Sequence, residues 1–104
     1  MAQFDVYANP STSAAHGIPF VVVVQSDLLS ALATRLAMPL ATVEFADKAP
    51  DKLCPVVMVN GQCLRALAHY TAPLPTRSLR KVVSNAATHA SALIAAMDVV
   101  MSGV

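Results

Sequence analysis

Few side chains in this sequence could make or break bonds: the histidines His16, His69 and His89, the cysteines Cys54 and Cys63, and a handful of arginines. The histidines are far apart, none has an HxxxH or CxxC companion, and they fall in a loop, at a strand end and on a helix face, which points away from a metal site. There is no GxGxxG, GxxxxGKS/T or GxSxG motif, and three glycines in all leave little from which to build a phosphate-cradling loop. Metal-free nuclease chemistry needs only a general base, a general acid and a cation, and Arg65, His69 and Arg77 are the residues available for it. Each has a plainer reading: Arg65 as a cross-strand charge on a hairpin, His69 as a surface residue at a strand end, Arg77 as a solvated loop residue.

The cysteines are separated by an Asn60-Gly61 pair between two apolar runs, the signature of a two-residue hairpin turn. That turn pairs Met58 with Cys63 and Cys54 with Leu67. The thiols then share a face but lie four residues apart along the ladder, roughly 13 Å at ~3.3 Å per residue, too far for a disulfide. Two reduced thiols are expected, in keeping with a cytoplasmic protein. The start, MAQFDVY, carries an acid at Asp5 and a proline at Pro10 where a secretory signal would be apolar, and Asp98 interrupts the apolar C-terminal stretch, so neither export nor a membrane span is expected.

The elements that must position these residues belong to one small domain, residues 1–104. With 56% hydrophobic and 12% charged residues the chain has the composition of a folded protein, and it carries few charges to cover its surface, which argues for oligomerisation, with an apolar area sealed against another chain. A net charge of +1 argues against direct binding of nucleic acid; the nearest thing to a basic patch is Arg77, Arg80 and Lys81, three charges that read as solvated.

Residues 3–8 alternate as a half-buried strand with Phe4 and Val6 inward, residues 11–17 read as a mobile loop, and the β-branched run over 19–26 predicts a strand buried on both faces. Ser26 and Asp27 can cap a short turn that carries Leu28, Leu29 and Leu32 where a plain loop would be polar. A further strand is expected over 35–45, with Pro39 placing it at an edge or a bulge, and the charged run 47–52 is an exposed loop. The hairpin covers 54–68, and Pro73-Leu74-Pro75 forces extended backbone. From Val82 to Met101 apolar residues recur at spacings of three and four, which predicts an amphipathic helix closed by Gly103 at its C′ position. Short strands followed by one terminal helix make a mainly β protein, a small bent sheet or barrel with a helix laid on it. Core packing accounts for the helix stripe but not for the apolar end at Met101, Gly103 and Val104, whose geometry suits insertion into a partner.

QFDVY at 3–7, VQSDLL at 24–29, MPLA at 38–41, CPVVMVNG at 54–61 and the terminal helix ending in Gly103 and Val104 run in order along nearly the whole chain. Together they resemble the CcdB family, toxins of toxin–antitoxin pairs that poison DNA gyrase. The resemblance implies a small SH3-like β-barrel with a C-terminal helix, a homodimer, no enzymatic activity and no cofactor. It implies that the toxin traps the gyrase–DNA cleavage complex through the A subunit of gyrase and is neutralised by a CcdA-like antitoxin, a disordered segment of which folds along the toxin. The family's gyrase-contacting tryptophan, glycine and isoleucine fall on Ser102, Gly103 and Val104, with Met101 beside them; serine here replaces the tryptophan. Its antitoxin contacts fall on Leu28, Leu29, Asp98 and Met101, with the loops 10–17 and 47–52 as further candidates. Two alternatives stay open at this level: an endoribonuclease toxin on the same barrel, using Arg65, His69 or Arg77, and an antitoxin-binding relic without a toxic target.

Overall fold

A computed structural model describes residues 2–29, 31–46, 48 and 50–103. The β-branched run in the first third of the chain sets the architecture. It forms β2 (Phe20–Val23), which pairs antiparallel with β1 (Asp5–Ala8) on one side and with β3 (Thr34–Thr42) on the other. Val22 faces the main core while Val21 and Val23 face a second cluster with Tyr7, Ala37 and Leu79, so β2 is buried on both faces as the sequence predicts. The same second cluster covers Tyr7, and β1 is therefore not half-exposed: Asp5, Val6 and Tyr7 are all buried. Asp5 tolerates burial because Ala2 N and Asn85 Nδ2 both donate to its carboxylate at 2.9 Å.

The Asn60-Gly61 pair makes the expected turn, with both residues at positive φ (49° and 84°), between β4 (Val56–Val59) and β5 (Gln62–Ala66). The register pairs Met58 with Cys63, as counted from the sequence. Cys54 departs from expectation: the chain leaves the ladder at Pro55, and Cys54 is buried with Ala41, Ala46 and Leu67 while Cys63 is exposed, so the two thiols do not share a face.

Pro39 sits in the middle of β3, a central strand, not at an edge. Its backbone groups point away from β2, toward a gap where the partner of β3 changes from β6 (Ala72–Pro75), paired with residues 34–37, to β5, paired with residues 40–42. No ladder bond is needed there from a proline N–H, and its carbonyl accepts from Leu67 N at 2.9 Å.

The predicted helix over 82–101 begins only at Ala90. Val82–Asn85 forms β7, an added strand on β1, and α1 spans Ala90–Ser102. Two adjacent valines suit a strand, and Asn85 ties β7 to β1 through Asp5 before its Oδ1 accepts from Ala87 N and turns the chain. Residues 12–16, expected as loop, form a short 3-10 turn capped by Ser11 and closed by Gly17 at φ 96°.

The sheet runs β4-β5-β3-β2-β1-β7 with β6 beside β5 on β3, and it curls into a half-barrel. Where its two ends approach, Asn60 Nδ2 donates to the Val83 carbonyl at 3.2 Å and Met58 N to His89 Nε2 at 3.3 Å. Leu93 and Ala96 of α1 press into the main core with Val6, Val22, Met38, Leu40 and Leu64. Gly103, at φ 75°, closes the helix as predicted, its N–H returning to Val99 O at 2.8 Å.

Candidate functional site

The polar residues of the VQSDLL motif are spent on a scaffold. Leu28 N donates to Ser26 Oγ at 3.2 Å, Asp27 Oδ1 accepts from Gln3 N at 2.7 Å, and Gln25 donates to Leu29 O and Thr34 O while accepting from Leu36 N. The buried Arg35 donates to Leu32 O and Thr34 O from beneath. What this turn displays is apolar: Leu28 is 93% exposed and Leu29 and Leu32 about half exposed. A tightly hydrogen-bonded turn that holds leucines in water has the form of a contact surface.

At its root, Val24 N donates to Leu36 O at 3.0 Å, and these two residues form one wall of a groove whose other wall is Leu93, Ile94, Met97 and Asp98 of α1. Phe4 contributes to this groove from a strained backbone, φ 70°, pinned by Phe4 N to Val23 O at 2.6 Å and by Ala86 N to Phe4 O at 2.8 Å. Neither the groove nor the strain has a signature in the sequence, since phenylalanine is not a residue that marks positive φ. A second groove lies along α1 against the 51–55 loop, and Asp98 stands on the rim of both.

The C-terminal turn of α1 is bare. Met101 is 80% exposed, Ile94 and Val100 are partly exposed, and Ser102 folds its hydroxyl back onto the Asp98 carbonyl at 2.7 Å. Asp98 thus lines the groove between α1 and Val24 and Leu36, and Met101 follows it on the helix, whereas Leu28 and Leu29 stand on the turn beyond Val24 and do not line that groove; Val104 lies outside the described residues. Of the exposed loop expected at 47–52, Lys48, Asp51 and Lys52 are exposed, and Asp47 and Ala49 lie outside the described residues.

The residues considered for nuclease chemistry divide into two places. Arg65 donates to the Cys54 carbonyl at 2.5 Å and to Asp51 at 3.0 Å, and His69 Nδ1 lies 3.9 Å from Cys54 Sγ, its ring tilted against Tyr70. Burial pushes the Cys54 thiol up from its ordinary range, against the opposing pull of Arg65, so a thiolate is disfavoured there. Arg77 follows β6, whose Pro75 pairs with Thr34, whereas Arg65 pairs with Ala41; seven residues of β3 separate them, on the order of 20 Å. Among the described residues no three of His, Cys, Asp or Glu gather as a metal site would require, and no helix is long and apolar enough to cross a membrane.

The family model of the CcdB protein matches residues 3–103, nearly the whole chain. The chain belongs to the CcdB family. Membership supports a toxin of a toxin–antitoxin system, and the half-barrel with one C-terminal helix is consistent with the CcdB fold. The comparison with curated proteins gives no match. The leucine turn, both grooves and the helix end up to Gly103 all lie within the CcdB match.

Proposed function

We propose that this CcdB-family protein acts as a homodimer that binds the A subunit of DNA gyrase through the end of α1 and stabilises the gyrase–DNA cleavage complex. Met101, Ser102, Gly103 and Val104 form the gyrase-binding tip. A CcdA-like antitoxin neutralises the toxin by folding along Leu28, Leu29, Asp98 and Met101. No bond is made or broken by the protein's own residues in this reading; it works by contact alone, without a cofactor, in the cytoplasm.

The observation that carries the reading is the bare helix end. Interfaces draw their energy from large apolar side chains that become desolvated, and Met101 is the largest side chain at this tip that stands free in water. With serine at 102, its hydroxyl turned inward to Asp98, the apolar contact passes to Met101 and Val104. The exposed Leu28 and Leu29, with Asp98 on the groove wall, support a separate antitoxin surface that meets the gyrase surface at Met101, so that the two partners compete.

The test is calorimetric titration of the purified gyrase A subunit. Met101→Asp should weaken binding by at least about 2 kcal/mol, roughly 30-fold, while leaving the melting temperature unchanged. Unchanged affinity would remove the helix end from the interface.

A further inference from the structure

Residues 52–97 contain five Lys or Arg and no Asp or Glu. Three of the five, Arg77, Arg80 and Lys81, are exposed within five residues of one another, and among the described residues none of them forms an ion pair; the ion pair present joins Arg65 to Asp51. The segment that carries them is fixed. Thr76 donates through both its N–H and its hydroxyl to the Ala33 carbonyl, Ser78 Oγ donates to Pro75 O at 2.6 Å, and Leu79 is buried against Tyr7, Val21 and Val23.

Beside this segment the sheet opens. The β1–β7 ladder pairs Asp5 with Asn85, Val6 with Ser84 and, after an irregularity, Tyr7 with Val82, and then ends. Ala8 is paired only with Phe20 on the other side. Asn9 N donates to Pro19 O, toward β2, so the C=O of its neighbour Ala8 faces away from β2, beyond the last β1–β7 pair. The result is a groove between residues 8–10 and Ser78, Arg80, Lys81 and Val83. Its far wall is held by Asn9, whose Nδ2 donates to Ser13 Oγ and Ile18 O at 2.8 Å each.

We infer that this groove docks an extended acidic polypeptide segment, with carboxylates set against Arg80 and Lys81 of its wall and the neighbouring Arg77, and a main-chain N–H set against the Ala8 carbonyl. A cation cluster with no carboxylate of its own attracts acidic chains, and a strand-edge carbonyl accepts a backbone N–H, which a peptide supplies. A phosphodiester strand has no use for a free carbonyl, and three cations release too few counterions to hold one firmly. The apolar lining from Ala8, Pro10 and Val83 likewise suits side chains alternating with the acids. This inference does not depend on the gyrase reading.

The test uses the full-length protein and a fluorescein-labelled twelve-residue peptide of alternating glutamate and threonine, followed by anisotropy at about 50 mM salt, where screening is moderate. Saturable binding is expected. It should weaken about tenfold or more in the Arg77→Glu, Arg80→Glu, Lys81→Glu triple variant and by less in the corresponding triple glutamine variant, while Lys48→Glu with Lys52→Glu should leave it within about twofold. Circular dichroism checks that each variant is folded, and the glutamine variant serves if the glutamate one is not. The proposal is overturned if the peptide does not bind, if both surfaces respond equally, or if a twelve-nucleotide thymidine strand or a twelve-base-pair duplex binds more tightly than the peptide.

Discussion

At the scale of single residues, the two thiols are the sharpest contrast in the molecule. Cys63 is exposed on the outer face of β5, while Cys54 is buried and its pKa is raised by desolvation. A thiol reagent should therefore titrate one cysteine quickly in the native protein and the second only on denaturation, with Cys63→Ser removing the fast phase. The same burial makes stability depend on alkaline pH. Cys54 and Tyr7 are both held above their ordinary values, Cys54 by desolvation and Tyr7 by desolvation and the neighbouring Asp5. Their neutral forms are favoured in the folded state, so their contribution is full below the unfolded thiol and phenol values and is lost as the pH rises through the folded ones. Urea midpoints should hold to about pH 8 and fall by about pH 11, less steeply in Tyr7→Phe. A flat profile, or a loss on the acid side alone, would contradict this assignment.

At the scale of elements, the leucine turn and α1 separate contact from stability. Leu28 is 93% exposed and Leu93 is fully buried. Leu93→Ala should destabilise the protein by about 2–5 kcal/mol in urea denaturation, as cavity-forming changes do. Leu28→Ala should stay within about 0.5 kcal/mol in the same experiment, and its effect should appear only as weaker antitoxin binding.

The sequence announces those elements whose signal is local. Asn60 and Gly61 specify a turn and through it a register, the valine run specifies a strand, and Gly103 marks the helix end. It misleads where a signal serves two structures. Val82, Val83 and Ala86 fit a helical stripe as well as a strand, and only the edge offered by β1, with Asn85 bonded to Asp5, decides for β7. Pro39 reads as an edge residue because no local pattern reveals that the neighbour of β3 changes at that point. Leu28, Leu29 and Met101 are legible as apolar residues left in water, and Asp98 joins them as a proposed contact only through the family resemblance. The groove between Val24, Leu36 and the helix was not, because Phe4, Leu36 and Met97 look like ordinary core residues and meet only through the tertiary fold.

At the scale of the whole molecule, 56% hydrophobic residues meet a surface that leaves Leu28, Ile94, Val100 and Met101 uncovered. Two copies should seal part of this surface. Analytical ultracentrifugation should find a particle of twice 10.9 kDa at micromolar concentration; a monomer at all concentrations would remove the homodimer. Whether the helix end holds gyrase on cleaved DNA is tested by combining gyrase, supercoiled DNA and ATP with rising amounts of this protein, followed by detergent and protease. Linear DNA should accumulate with the protein and disappear when residues 102–104 are deleted from a variant that still folds. Supercoiling that proceeds with no linear product at micromolar protein, or linear product that survives the deletion, would contradict it.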